Sequence, residues 1–384
     1  MKRSLRRFLL ILAALLIYLL LFPEPTHREL TVQAQWGVAP LELAATETTG
    51  EGDLIPFEFQ SEFGYLSAAG TLAYRGSSAY QVSLGSRQFV SYDQRPRSLV
   101  VQDSRGDFLF TVDTPGYPLV NDGQILVIAP DGVTLSSVLP DGQWQWQQTL
   151  PSNITALRAR GGLTVAGVLG GSVHAIDSQG RALLVDAASV DTSGVVQNVA
   201  VSSDGRAFAT TSSPEFLLAA ESVAEMSLAL YQVSEERAVP VLRRRYLRNA
   251  RALPAIYLAE SDPLLIYTTQ RPRERAEGVS RTFVEETIIA NLETGTEVRV
   301  QTVNPVGAIE EQAGHGLYWL LARSTQPDPG RGFRYANELA SVDASGVRPI
   351  SLEMAADVAD LQIVGDLLIA QVDDRLLAFS IEER

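Results

Sequence analysis

The residues able to do chemistry are few and scattered. The three histidines are His27, His174 and His315, and their separations match no metal-ligand spacing. His27 falls in a linker, His174 in a strand-like run and His315 in a Gly-His-Gly turn, all ordinary places for a histidine. The chain has no cysteine. That excludes disulfides, thiolate metal sites, a cysteine nucleophile and a lipid-modified N-terminal cysteine. No Gly-x-Ser-x-Gly elbow and no P-loop occurs. Asn153-Ile154-Thr155 has the form of a glycosylation acceptor, a tripeptide common by chance. No catalytic residue, cofactor or metal site is assigned, and the chain reads as a binder rather than an enzyme.

Contact residues are easier to find. Trp144 and Trp146 are two apart, so on a strand both would point to one face, where packing between repeated units would bury them. Arg243, Arg244, Arg245, Arg248 and Arg251 form a basic run, read as a solvated edge strand guarded against aggregation.

Charge narrows the partners. Four of the 31 basic residues and one of the 45 acidic ones precede Arg28, which leaves a body of net charge −17. Such a body is repelled by nucleic acid and by anionic headgroups, so nucleic-acid binding is set aside. Lys2 is the only lysine, a bias that a GC-rich genome explains better than any need for bidentate contacts.

Lys2, Arg3, Arg6 and Arg7 precede an unbroken apolar stretch, Phe8 to Phe22, ended by Pro23. This is the pattern of an export signal. As a helix it would reach about 22 Å, short of the ~30 Å hydrocarbon core but within what snorkelling arginines and local thinning make up. An uncleaved signal anchor is the expectation. Removal near Val32-Gln33-Ala34 is the alternative, and in both the body is exported.

After residue 53 short β-branched and aromatic runs alternate with Asp-Gly, Asn-Asp-Gly and Gly-Gly turns. Four-strand units can be laid on this pattern. The clearest run from Tyr117 to Leu150 and from Asn153 to Ala188. With a poorer first unit at about 61–113 and a final one from Val358, the count is seven. The last unit supplies three strands. Leu30–Val38, where Leu30, Val32, Ala34, Trp36 and Val38 alternate with polar residues and glycine, is expected to add the fourth and close the ring.

The unit His174-Ala175-Ile176-Asp177-Ser178-Gln179-Gly180 resembles the Ala-x-Asp-x-x-Gly core of pyrroloquinoline-quinone-type propeller repeats. In that family a tryptophan usually follows the glycine by four. Trp146 does so after Gly142, whereas Leu184 stands in that place after Gly180. The resemblance is clear over about 117–188. It extends to the repeats of quinoprotein dehydrogenases and of the outer-membrane-assembly lipoprotein propeller. WD40-like repeats are a second match, without their tryptophan-aspartate signature. Quinone-dependent oxidation, which the resemblance would imply, is not expected: the adjacent-cysteine ring of those enzymes is impossible here, and no acid stands out as a calcium ligand or base.

The fourth, fifth and sixth units carry extra length between their second and third strands, at about 212–225, 270–282 and 324–334. Long loops on three consecutive units would gather over one sector of one end. That sector would show Arg271, Arg273, Arg275, Arg281, Arg331 and Arg334 with Glu215, Glu221, Glu274 and Glu277. Mixed charge rich in arginine suits a protein partner better than a deep small-molecule pocket.

The expectation is an all-β chain: a β-propeller of seven four-stranded blades over 54–384, a linker at 24–53 and one N-terminal transmembrane or signal-anchor helix at 1–23. It would sit on the extracytoplasmic side of the cytoplasmic membrane as a non-catalytic scaffold for envelope proteins. A glycan- or small-molecule-binding periplasmic propeller is the alternative.

Overall fold

The computed structural model describes residues 30–44, 54–59, 61–78, 80–121, 124–185, 194–214, 223–249, 256–259, 263–272, 283–301, 309–312, 316–328, 332–347, 349–354 and 358–383. Apart from a single 3-10 turn at Pro40–Glu42, these residues form strands and turns. The expected N-terminal span and the arginines at 273, 275, 281 and 331 lie outside the described residues.

Antiparallel blades follow one another along the chain, spanning 55–77, 81–112, 117–149, 154–185, 194–249, 256–301, 309–354 and 358–383. The stretch 61–113, expected as one poor unit, contains strands of two separate sheets, one within 55–77 and one within 81–112. The reason lies in the turn chemistry. At Asp177 the carboxylate accepts the N–H groups of Gln179 and Arg181, and Gly180 donates to the Asp177 carbonyl. In the 55–77 blade Ser67 does the same work. Its hydroxyl accepts from Ala69 and Thr71, and Gly70 donates to its carbonyl. A serine in the aspartate's place hides the repeat.

The core is a cycle of interfaces. Phe63 and Tyr65 pack on Phe89; Val90 and Val101 on Val120 and Val127; Leu126 and Trp146 on Ala166 and Ile176. Leu163 and Val165 meet Val196 and Phe208, and Ala209 meets Leu265 and Tyr267. Ile266 packs on Tyr318 and Trp319 on Leu368. The last cluster joins Ile369, Leu376 and Ala378 to Ile55, Phe57 and Leu72, so the final blade packs on the first. Each blade buries apolar side chains on both faces, which explains its dense β-branched composition.

Leu30–Val38 pairs antiparallel with Arg375–Glu383 as the outer strand of the final sheet. A bulge between Ala34 and Trp36 inserts one residue, and the insertion swaps the faces on either side of it. Leu30 and Val32 pack toward Trp319 and Leu368, whereas Trp36 and Val38 pack toward the 55–77 blade. The strand thus seals both flanks of the final blade.

One outer strand departs from the blade plan. Arg237–Asn249 pairs in parallel with Ala182–Val185 at Leu184 and Val185, and antiparallel with Leu264–Pro272 at Leu247 and Gln270. These pairings join the blades at 154–185, 194–249 and 256–301 into one twelve-stranded sheet.

Candidate functional site

Like ends of the blades lie together. The turns Gly161-Gly162 and Asp204-Gly205 join first to second strands in adjacent blades. They pack so closely that a Cβ on Gly161 would stand 2.3 Å from the Gly205 nitrogen. Gln312 donates to the Asp366 carbonyl at the same end. At the opposite end Gln371 donates to the Glu58 carbonyl. The first end carries the turns between first and second and between third and fourth strands; the second carries the hairpins between second and third strands, Asp131-Gly132 among them.

At this hairpin end strand pairing runs into each of the expected loops. Ala207–Pro214 pairs with Val223–Val233, Leu264–Pro272 with Phe283–Asn291, and Leu317–Asp328 with Gly332–Asp343. The pairing continues to Arg271 opposite Val284 and to Asp328 opposite Gly332. The extra length is therefore strand at 212–214 and 223–225, at 270–272, and at 324–328 and 332–334. Its threonine- and serine-rich stretches satisfy ladder hydrogen bonds as well as apolar residues do. Arg271 and Arg334 fall on the backbone of these arms, with their side chains outside the described ones. Arg273, Arg275, Arg281 and Arg331 lie outside the described residues, as do Glu215, Glu221, Glu274 and Glu277.

The roots of the arms are polar and buried. Thr211, Thr268 and Thr287 have no exposed surface, and Glu286 has 4 %. Gln197 donates to the Ser213 hydroxyl at 2.8 Å, and the Arg299 guanidinium lies 3.8 Å from the Glu286 carboxylate. The Gln197–Ser213 hydrogen bond and the Arg299–Glu286 pair each tie neighbouring strands together at these roots.

A second feature shares this end and was not visible in the sequence. Tyr92 closes the second strand of the 81–112 blade, opposite Gln81. Its ring lies 6.3 Å from Tyr80 on one side and 6.3 Å from Tyr117 on the other, edge to face in both cases. The Tyr92 hydroxyl donates to the Gln81 side-chain oxygen at 2.8 Å, and Tyr117 donates to the Gln94 carbonyl at 3.2 Å. Burial first, then Tyr80, Glu58 and Tyr117, push the Tyr92 phenol up from its ordinary range. Tyr80 and Tyr117 keep 49 % and 38 % of their surface exposed. Exposed tyrosine rings can stack on a sugar face or on a partner's side chain. The usable signal was positional: Tyr80 and Tyr117 both stand at the entry to a blade's first strand.

The tryptophan pair divides. Trp146 is buried between blades, while Trp144 is 43 % exposed. A bulge opposite Ser137 and Val138 breaks the alternation that would have put both on one face. Of the basic run, Arg244 reaches Glu297 of the next blade at 3.1 Å, and Arg245 reaches Glu225 of its own at 3.8 Å. Arg243 is exposed.

At the turn end a cleft of about 670 Å³ opens between the 194–249 and 256–301 blades, with Ser202, Asp204, Arg206, Tyr231, Leu264 and Glu293 among its walls. The Asp204 carboxylate is committed to its turn. The Arg206 N–H and the Ser202 hydroxyl hold it below the usual carboxylate range. Elsewhere burial raises Glu58 and Asp360. The Asp360 carboxylate accepts its neighbour's Leu361 N–H, a local contact that sets no acid–base pair. Among the described residues no group of three or more His, Asp or Glu could hold a metal ion, and no helix is long and apolar enough to cross a membrane.

A cycle of antiparallel blades whose last sheet borrows its outer strand from the other end of the chain is the architecture of a β-propeller. A family model described as beta-propeller protein matches residues 1–215. The chain belongs to that family. No curated protein matches it. Among solved structures it is similar to BamB from Moraxella catarrhalis, with 12 % identity and a TM-score of 0.46 over 91 % of this chain and 100 % of that one. It is also similar to the computationally designed protein Ika8, with 14 % identity and a TM-score of 0.39 over 78 % of this chain and 94 % of that one.

Proposed function

We propose that the chain is an extracytoplasmic propeller of eight blades, tethered to the cytoplasmic membrane by residues 1–23, that acts as a non-catalytic protein-binding scaffold in the cell envelope. The observation that carries this reading is the set of three long strand arms raised at one end by the consecutive blades 194–249, 256–301 and 309–354. Strands held by a continuous ladder present a contact surface at a lower entropy cost than a free loop would. In sequence, Arg273, Arg275, Arg281 and Arg331 fall between the paired strands of these arms, and arginine is enriched in protein interfaces.

The test is in-cell crosslinking of tagged, full-length protein followed by identification of what copurifies from membranes. A near-stoichiometric envelope protein that is lost on joint reversal of Arg271, Arg273 and Arg275 to Glu supports the scaffold. Unchanged capture by that variant, or no partner at all, sinks it.

The tyrosine group favours a second reading, a glycan-binding propeller. Its test is binding of envelope oligosaccharides to the purified protein, with Tyr80→Ala and Tyr117→Ala as controls. Binding that these variants leave untouched would dismiss it.

A further inference from the structure

We infer that the turn end of the ring faces the membrane and that the strand arms and the tyrosine group point away from it, toward a partner held at a distance from the bilayer. The inference rests on the tethered reading above.

Register carries it. Leu367 pairs with Ser380 and Val372 with Arg375, so the inner hairpin of the final blade runs from the turn Gly365-Asp366 to the turn Asp373-Asp374. Leu30 pairs with Glu383 and Val38 with Leu376. The strand Leu30–Val38 therefore enters at the end marked by Asp366 and rises toward the end marked by Asp374. Its first residues, opposite Ser380 to Glu383, reach past the Gly365-Asp366 turn. Anything that precedes Leu30 leaves the ring there, at its outer edge.

The sequence limits how far that exit can wander. Seven residues, 23–29, separate Phe22 from Leu30, and Pro23 and Pro25 are among them. Fully extended they reach about 25 Å. The strand Leu367–Val372 alone climbs about 20 Å. Inverting the ring would oblige the linker to scale its outer wall and would leave almost no slack. After the strand the chain is locked as well. Pro40 is buried, Arg75 donates to the Leu41 carbonyl at 2.6 Å, and Trp36 donates to the Ala68 carbonyl at 2.8 Å.

The turn end carries Asp103, Asp141, Glu293, Asp343 and Asp366, beside Asp177 and Asp204, which pair there with Arg181 and Arg206. Anionic headgroups repel such a surface. The ring is thus held near the bilayer by its tether without adhering to it, and its hairpin end stays free.

The experiment uses full-length protein in anionic-lipid vesicles carrying an acceptor dye in the bilayer. The chain has no cysteine, so Asp366→Cys and Asp374→Cys each take one donor label at opposite ends of the same blade. Stronger donor quenching for D366C than for D374C is expected. Stronger quenching for D374C, or equal quenching of the two in vesicle-bound protein, overturns the orientation while leaving the tether intact. Protein that does not cofractionate with vesicles overturns the tether, and the orientation with it.

Discussion

Trp36 lies over Gly70 so closely that a Cβ on the glycine would stand 2.8 Å from the indole Cδ2. Gly70 has φ +78, and Trp36 comes from the strand that joins the two ends of the chain. The same relation recurs inside the ring, where a Cβ on Gly180 would stand 2.3 Å from the Trp146 Cβ. It also recurs between Gly106 and Tyr74 and between Gly142 and Phe110. A turn glycine of one blade seats the outer strand of the blade before it, and the chain's closure is one more instance.

Trp36→Ala should therefore loosen the ring at its seam. The side chain is half-buried, so a loss of about 2–3 kcal/mol is expected, below the cost of a fully buried indole. Urea unfolding measures it. Removal of residues 30–38 should abolish cooperative unfolding, because Leu376, Ala378 and Ile381 lose their cover and a sheet edge opens.

Gly70→Ala and Trp36→Ala should not add. Alone, the alanine meets the indole and also carries the strain of a positive φ, about 1–2 kcal/mol. Combined with Trp36→Ala, only the strain remains. A double-mutant cycle showing full additivity would mean that the two residues do not touch.

Asp177→Asn tests the turn. Burial opposes ionisation of Asp177, but the Arg181 N–H and guanidinium and the Gln179 N–H outweigh it and hold the carboxyl below its ordinary value of 3.8. A lowered acid contributes stability above its unfolded value and loses it as pH falls through the folded one. The variant should lose about 1 kcal/mol near neutrality. The gap between variant and parent should narrow below pH 3.8.

His174 gives a second pH signature. Burial lowers it from 6.5, so the fold favours the neutral ring. Above 6.5 both folded and unfolded chains are neutral there and nothing is lost. As pH falls below that value the unfolded chain takes up the proton first, and stability drops until the folded ring titrates as well. The urea midpoint should decline as pH falls below 6.5, and His174→Gln should flatten part of that slope.

Much of this was legible in the sequence, for reasons specific to residues. Asp177, Asp204 and Asp343 mark turns because a carboxylate is the strongest local acceptor for consecutive N–H groups, and each does accept them. Ser67 accepts them too, more weakly, and that substitution concealed a blade. The strand Leu30–Val38 was visible through its alternation, but its bulge, which turns Trp36 to the other flank, has no signature in residue type. Neither has the bulge that exposes Trp144. The tyrosine group was beyond reach because Tyr80, Tyr92 and Tyr117 meet only once adjacent blades are set side by side. The three arms were found as surplus length, while their strand character depended on partners that length alone does not name.

The seam also decides how the ring bears load. The hydrogen bonds between Leu30–Val38 and Arg375–Glu383 lie across the strands. A pull on Leu30 runs along its strand, so every rung resists together, in shear, instead of parting one after another like a zipper. The joint that closes the circle is thus also a handle that resists tension from that direction with all of its rungs at once.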